Sequence, residues 1–194
     1  MLAMLRPTLV LFAALTGLTG VAYPALVTAI AQTLFPWQAN GSLLREGEGD
    51  GELIVGSALI GQSFSDSRFV WGRPSATLRV PYDAAASTGS NLGPTNPALL
   101  DAVRARVAML REAEIDAEIE GDGASGSAPD AGWPVDLVAA SGSGLDPHVS
   151  PAAALRQATR VARARGLPEA LVRSRIEAAI AGRTLGVLGE PRVN

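Results

Sequence analysis

The distribution of apolar and charged positions divides the chain into a strongly apolar beginning and a mixed remainder. Between Arg6 and Arg45 the sequence contains no Asp, Glu, Lys or Arg. The apolar run over residues 8–31 predicts a helix roughly 36 Å long at ~1.5 Å per residue, enough to cross the ~30 Å hydrocarbon core of a bilayer. Phe35 and Trp37 follow, where aromatic side chains commonly meet lipid headgroups. The pattern therefore predicts one membrane-spanning helix.

A cleaved signal peptide is the alternative interpretation of this segment. Arg6 supplies a positively charged start, and Ala29-Ile30-Ala31 fits a small-x-small cleavage pattern. The apolar run is, however, about twice the ~7–15 residues typical of a signal peptide, which favours an uncleaved anchor. Because the nearest positive charge precedes the helix, both interpretations leave the N-terminus inside and the following chain outside.

Small residues recur at spacings of three and four along the predicted helix: Ala13, Gly17, Gly20, Pro24, Thr28 and Ala31. A stripe of small residues lets helix backbones approach closely in lipid, which predicts packing against other membrane helices. The alternative stays open that Gly and Thr are simply frequent in membrane helices.

Past the helix, the pattern changes to short segments typical of an α+β domain. Residues 53–60 and 69–80 favour extended structure, and Pro97 opens an amphipathic helix after an Asn cap. Residues 115–119 alternate apolar and acidic side chains, and residues 135–140 form a short apolar run. Both patterns predict strands.

Turn-forming residues set the other boundaries. Residues 121–132, GDGASGSAPDAG, predict a flexible loop, and Ser150-Pro151 predicts a helix start. We expect that helix to end at Gly166 and a last one to run from Pro168 to Gly182. The predicted organisation is a cytoplasmic N-terminus (1–7), a transmembrane helix (8–31), a juxtamembrane linker (32–52) and an extracytoplasmic α+β domain (53–194).

Composition excludes much of catalytic chemistry. All 16 basic residues are arginine, cysteine is absent, and His148 is the only histidine. These absences exclude a Walker A lysine, a lysine Schiff base, disulfides, thiolate sites and a two-histidine zinc centre, so no metal site is predicted. A net charge of −3 and 5% aromatic residues argue against nucleic acid as a partner. Residues 150–194 are locally basic, which suits an acidic partner or lipid headgroups, or balances the acidic residues 112–122.

One segment, SGSGLDPHVSP at residues 141–151, resembles a serine hydrolase site in composition. The alternative function is therefore a membrane-anchored extracytoplasmic hydrolase that uses Ser143 and His148. Two observations argue against it. A triad normally draws its members from separate loops, and the chain reads S-G-S-G-L around Ser143 instead of G-x-S-x-G. The favoured interpretation is a glycine-rich turn that leads into a capped helix.

Several ordered motifs carry a family resemblance. They are GSALIGQSF (56–64), RPSA (73–76), STGSNLGPTNP (87–97), ASGSGLDPHVSPAAA (140–154) and LGVLGEPRVN (185–194). Together with the single N-terminal span, they resemble the KdpC family, the small subunits of the Kdp-type potassium-transporting ATPases, over essentially the whole chain. The family motif positions on this sequence are Gly56, Gln62, Arg73, Pro74, Ser75, Gly89, Ser90, Asn91, Gly93, Pro94, Ser141, Ser143, Gly144, Asp146, Pro147 and His148.

The resemblance implies a non-catalytic, single-pass subunit of an inner-membrane complex that imports K⁺ at the expense of ATP. A K⁺-channel-like subunit and a P-type ATPase subunit are the implied partners, and they handle K⁺, ATP and Mg²⁺, so no cofactor is expected on this chain. The family is also described as a catalytic chaperone that raises the ATP affinity of the ATPase subunit. In that description a glutamine at the position of Gln62 is likened to an ABC-transporter signature.

Overall fold

The computed structural model describes residues 2–47, 52–120 and 132–194. The chain forms two compact units, Met1–Ser57 and Ala58–Asn194. The predicted loop at 121–132 lies outside the described residues except for Gly132, as does the middle of the acidic run after Arg45.

The first unit begins with a long apolar helix. It consists of α1 (Leu2–Gly17), a π-helical segment (Leu18–Ala22) and α2 (Tyr23–Leu34). Met4–Leu34 is the one stretch of the described residues that is long and apolar enough to cross a membrane. This confirms the prediction of an α+β chain with one such helix at its N-terminus.

The π-helical segment has a local cause. Pro24 has no amide hydrogen to donate, and just before it the amide of Tyr23 bonds back to Leu18 O with i→i−5 spacing. The wider turn shifts the helical phase by about one residue, or ~100°. The small residues before and after this segment, Gly17 and Pro24, therefore lie on faces offset from each other.

After the helix the first unit continues into a short hairpin. α3 (Pro36–Ala39) is followed by β1 (Leu43–Glu46), which pairs antiparallel with β2 (Leu53–Ser57). β2 confirms the strand predicted from residue 53. The register shifts between Leu44 and Arg45, which marks a bulge.

The second unit is mainly helical around a small core. Its elements are a 3-10 turn (Ala84–Ala86), α4 (Pro97–Glu120), α5 (Val135–Val138), α6 (Pro151–Arg156), α7 (Ala158–Arg165), α8 (Glu169–Ala178), β3 (Ile180–Ala181) and β4 (Arg192–Val193). β3 and β4 pair antiparallel, and Val149 bridges to Val193. The buried core includes Trp71, Leu110, Leu137, Ala153, Ala154, Ala158, Val161 and Ile176.

Two helix starts and one helix end agree with the sequence. α4 begins at Pro97, and Ser150 caps α6 by accepting the amide of Ala153 at 3.2 Å. Gly166 ends α7 in the left-handed conformation, with φ of 63°.

Four sequence predictions are wrong. The strand expected at 115–119 is a continuation of α4, and the strand expected at 135–140 begins as the short helix α5. The single helix expected from Ser150 to Gly166 is two helices, α6 and α7, separated at Gln157, and α8 ends at Ala178, four positions before Gly182. Residues 69–80, for which the sequence predicted only extended structure, belong to no helix or strand.

Candidate functional site

Three loops that carry predicted motif residues meet in the second unit. We call them the motif loops, residues 73–77, 87–94 and 141–148. Backbone hydrogen bonds tie the third loop to the other two, from Ser141 N to Pro74 O (3.2 Å) and from Thr88 N to Ser143 O (3.0 Å). Segments far apart in the chain are therefore fixed against each other.

Ser75 is a junction of this cluster. Its hydroxyl lies 2.7 Å from Gly144 O, to which it donates, and it accepts the amide of Tyr82 at 2.9 Å. Thr77 Oγ1 lies 2.9 Å from the same hydroxyl. Tyr82 returns to the first motif loop by donating its phenol to Arg73 O at 2.6 Å. The serine of the RPSA motif thus holds loop backbone in place.

Two motif glycines allow the loops to approach closely. Gly144 is buried with φ of 69°, and a Cβ there would lie 2.7 Å from Thr88 O. A Cβ on Gly89 would lie 2.9 Å from Gly142 O. Both spacings are too short for any other residue, so these glycines are required by packing.

A charged group links the first and third motif loops. Asp146 Oδ2 pairs with Arg73 Nη1 at 3.3 Å, and Asp146 Oδ1 lies 3.1 Å from the Nδ1 atom of His148. The same Oδ1 accepts the amide of His148 at 3.0 Å. These side chains are part-buried. Asp146 pairs with the guanidinium of Arg73 and also accepts a backbone amide from its own loop.

This geometry does not form a hydrolase triad. Ser143 is exposed, and its hydroxyl accepts the amide of Leu145 at 3.1 Å. Within the described residues no hydrogen bond joins Ser143 to the His148 ring. A triad needs the nucleophile bonded to its base, and here the acid also serves an arginine. The arrangement fixes loops instead of activating a hydroxyl.

A buried glutamine supports the first motif loop by hydrogen bonding to both backbone groups of one residue, the amide and the carbonyl. Gln157 Oε1 accepts the amide of Trp71 at 2.9 Å, while Gln157 Nε2 donates to Trp71 O at 3.0 Å. Both residues are buried in the core. Because Trp71 stands two residues before Arg73, this pair sets the position at which the first motif loop begins.

A buried arginine completes the same support. Arg160 is 4% exposed and donates to Ser67 O (2.6 Å), Phe69 O (3.1 Å) and Gln157 Oε1 (2.6 Å). Its guanidinium also lies 4.4 Å from the centroid of the Trp71 ring. Burial lowers the pKa of Arg160 to about 10, so it remains charged at neutral pH.

A second arginine approaches the same tryptophan. Arg106 on α4 lies 5.5 Å from the Trp71 ring and donates to Gly72 O at 3.2 Å and Leu137 O at 2.9 Å. Burial lowers its pKa as well. Trp71 is thus in cation–π contact with two arginines, each of which also bonds to backbone.

The other predicted motif positions lie elsewhere. Gly56 belongs to β2 in the first unit, and Gln62 is exposed in the second. Asn91 adopts φ of 51°, a left-handed conformation that asparagine tolerates better than most residues. Along the second motif loop Ser90, Gly93 and Pro94 are exposed, whereas Pro147 is half-buried in the third.

The predicted helix-packing residues, Ala13, Gly17, Gly20 and Pro24, are all exposed on the N-terminal helix. The described residues contain no group of three or more His, Cys, Asp or Glu side chains that could hold a metal ion.

Comparison with known proteins covers the whole sequence. The family model described as "KdpC: K+-transporting ATPase, c chain" matches residues 5–194. A protein from Sorangium cellulosum is 61% identical over 194 residues, covering all of this chain and 94% of the relative. One from Polaromonas naphthalenivorans is 58% identical over 191 residues, 98% of this chain and 89% of the relative.

A third relative, from Burkholderia orbicola, is 54% identical over 194 residues, 100% of this chain and 92% of the relative. All three are named "Potassium-transporting ATPase KdpC subunit". Matches of this extent confirm the resemblance seen in the motifs, and the chain belongs to the KdpC family of K⁺-transporting ATPases.

Proposed function

We propose that this chain is the non-catalytic accessory subunit of a high-affinity, ATP-driven potassium uptake complex, which it assembles or stabilises. The observation that carries the proposal is the use made of the motif side chains. Ser75, Asp146 and Gly144 hold loops together and leave no activated nucleophile among them. The names of the relatives supply the transport process.

The proposed placement is single-pass in the inner membrane. Residues 8–31 cross the bilayer, residues 1–7 are cytoplasmic, and the domain at 53–194 is extracytoplasmic. Support comes from the long exposed apolar helix and from Arg6, the positive charge that precedes it. An intact mass that includes residues 1–31 is the expected result for protein extracted from membranes. An N-terminus at Gln32 would instead show a cleaved signal.

We propose that the partner subunits carry out ion binding and ATP hydrolysis. A K⁺-channel-like subunit would bind the ion, and a P-type ATPase subunit would bind Mg²⁺ and hydrolyse ATP. This chain would hold no cofactor of its own.

Any effect on the ATP affinity of the ATPase subunit is proposed to be indirect. The proposed topology places Gln62 outside the membrane, whereas ATP is bound on the cytoplasmic side. Direct contact between Gln62 and the nucleotide is therefore impossible, and the effect would pass through the assembled subunits. Gln62→Ala is expected to change apparent ATP affinity only in proportion to the amount of complex formed.

Co-purification tests the proposal. Tagged chain extracted in mild detergent should bring down both partner subunits together with K⁺-stimulated ATPase activity. Ser143→Ala and His148→Ala should retain this activity at the level of complex they form. Ester hydrolysis by the purified chain that Ser143→Ala abolishes would contradict the proposal and favour the hydrolase.

A further inference from the structure

The π-helical segment leaves one backbone carbonyl of the N-terminal helix without a donor. In a regular α-helix the carbonyl of Thr19 would accept the amide of Tyr23, and in a π-helix it would accept the amide of residue 24. The Tyr23 amide donates to Leu18 O instead, and Pro24 has no amide hydrogen. Among the described residues no side chain donates to Thr19 O in their place, since the hydroxyl of Thr19 itself donates to Leu15 O at 2.8 Å.

The phenol of Tyr23 is a second polar group without a partner in the described part of the chain. Tyr23 is 65% exposed on the surface of the helix. The hydroxyls of Thr8, Thr19 and Thr33, by contrast, each donate at 2.8 Å to a carbonyl one turn earlier in the same helix. A tyrosine side chain is too rigid to reach back to its own helix in this way, so its hydroxyl depends on a neighbour.

Both groups lie deep in the hydrocarbon if residues 8–31 cross the bilayer. The peptide bond between Thr19 and Gly20 is at the middle of that range. Tyr23 precedes Ala31 by eight residues, or about 12 Å along the helix. Helical side chains lean towards the N-terminus, so the phenol points away from the outer headgroups, where tyrosine is usually found. Neither group can therefore be satisfied by water or headgroups.

The surface around this carbonyl is open to another helix. Gly20 carries no side chain that could cover the Thr19 carbonyl, and a Cβ at Gly20 would meet only a Thr16 methyl, at 4.0 Å. Acyl chains offer neither donors nor acceptors, so an unpaired carbonyl or hydroxyl facing lipid is strongly unfavourable. A polar side chain of a neighbouring membrane helix supplies both.

We infer that Thr19 O, Gly20 and the Tyr23 phenol form a docking site for a membrane helix of a partner subunit, and we call it the mid-membrane polar site. The inference rests on the proposed function and identifies the chemistry of one partner contact. The partner helix carries a neutral polar side chain, an amide or a hydroxyl, at the same depth. That side chain donates to Thr19 O and accepts the phenol of Tyr23. A charged side chain is disfavoured at the bilayer centre.

Tyr23→Phe tests the phenol without changing the shape of the helix surface. The variant is produced in cells together with the partner subunits, and the yield of complex in mild detergent is compared at equal membrane levels of the chain. We expect the yield to fall about threefold or more, which corresponds to one interhelical hydrogen bond in lipid. The matched control is Thr8→Val, whose lost hydroxyl is satisfied within its own helix, and it should leave the yield unchanged.

Pro24→Ala tests the carbonyl. The new amide can donate to Thr19 O at the π-helical spacing, so the helix satisfies its own carbonyl and the partner loses an acceptor. Alanine is also the better helix former, so the variant should strengthen the helix and yet lower the yield of complex. If the helix served only as an anchor, this change would leave the yield unchanged or raise it. Wild-type yields for both Tyr23→Phe and Pro24→Ala overturn the inference.

Photo-cross-linking identifies what occupies the site. A benzoylphenylalanine placed at position 23 of the full chain should form an adduct with a partner subunit in membranes that contain the complex. The same group at Ala25, about 200° around the helix, is the control and should form less of this adduct. An adduct at position 23 with lipid alone, or with another copy of this chain, overturns the inference.

The wild-type chain separates this inference from the proposed function. If it fails to co-purify with an ATPase subunit, the proposed function fails. If it co-purifies and the two variants assemble equally well, only the mid-membrane polar site is disproved.

Discussion

The Ser75 hydroxyl donates a 2.7 Å hydrogen bond to the carbonyl of Gly144, which lies 69 residues further along the chain. Ser75→Ala removes this donor and the acceptor of the Tyr82 amide, leaving both backbone groups part-buried without their partner. We expect the free energy of unfolding to fall by about 1–3 kcal/mol. Urea unfolding of the full chain in mild detergent, followed by tryptophan fluorescence, measures the change.

The matched control for this prediction is Ser143→Ala in the same cluster. Ser143 is exposed, and its side-chain hydroxyl bonds only within its own loop, to Leu145 N, while its backbone carbonyl still accepts the amide of Thr88 in the variant. Its removal should change the free energy of unfolding by no more than ~0.5 kcal/mol. Equal effects at Ser75 and Ser143 would contradict the role of Ser75 as a junction.

Gly144→Ala should be more damaging than the same change two residues earlier. The added Cβ would meet Thr88 O at 2.7 Å, and the left-handed φ is itself unfavourable for alanine. We expect a loss of more than ~2 kcal/mol in the free energy of unfolding. Gly142→Ala, whose Cβ meets nothing within 4 Å, should stay within ~0.5 kcal/mol. Similar denaturation midpoints for the two variants would show that the loops can separate without cost.

Arg160→Met should destabilise the second unit by about 3 kcal/mol or more, because the carbonyls of Ser67 and Phe69 and the Gln157 side chain lose a buried donor. Arg175→Met on the exposed side of α8 is the control and should be near neutral. Thermal unfolding compares the two. A stable Arg160→Met variant would mean that methionine packing on Trp71 replaces the polar contacts.

The ion pair of Asp66 and Arg68 predicts a pH effect. A hydrogen bond from the Arg68 side chain, 2.6 Å long, and one from its backbone amide lower the pKa of Asp66 from 3.8 to about 2. A depressed pKa means that this contribution to stability is present above about pH 4 and is lost as the pH falls towards 2. Arg68→Gln should raise the Asp66 pKa in a carboxyl NMR titration. An unchanged titration would assign the shift to the backbone amide alone.

The glycines of the N-terminal helix provide a test of assembly. Gly17→Ile adds bulk where the isolated chain has no atom within 4 Å, and at Gly20 only a Thr16 methyl lies at 4.0 Å. An added Cβ therefore meets no other part of the described chain closely, and the expected clash is with a partner helix. We expect Gly17→Ile or Gly20→Ile to lower the yield of complex in mild detergent and growth at low K⁺.

Leu18→Ile is the control for this helix, since lipid adapts to a change of shape away from a helix contact. It should leave assembly and growth unchanged at equal membrane levels of the subunit. If the glycine variants also assemble normally, the small residues reflect membrane-helix composition and the domain after the helix carries assembly.

Helix starts were predictable because their signals are local. Asn96 before Pro97 and Ser150 before Pro151 accept hydrogen bonds from otherwise unpaired amides in the first helical turn. These bonds are local and do not depend on the rest of the fold. The strand predicted at 115–119 failed for a related reason. Ile115 and Ile119 are four apart, which fits a helix as well as alternation fits a strand, and the established turns of α4 extend cooperatively into them. An apolar run as short as residues 135–140 does not by itself distinguish a buried strand from a helical turn.

The buried residues that support the motif loops could not be predicted from the local sequence pattern. Gln157 and Arg160 appear in the sequence as ordinary polar helix positions, and the arginines after residue 150 suggested a charged surface. Their burial depends on carbonyls supplied by the segment before Arg73, almost ninety residues away. The available signal was the surrounding alanines, Ala153, Ala154, Ala158 and Ala162, which leave room for long side chains within the core. That signal indicates space and does not identify what fills it.

The pairing of Val149 with Val193, and the 2.9 Å bond from Asn194 Nδ2 to Ala58 O, have a kinetic consequence. Contacts of such long sequence separation raise contact order, and the entropy of loop closure must be overcome before they form. The domain cannot finish folding during synthesis until Asn194 has emerged. Until then β4 cannot pair with β3, and the nascent chain is stabilised only by local helices such as α4 and α7. A partner that recognises the finished domain would thus engage the chain only after β4 has been synthesised.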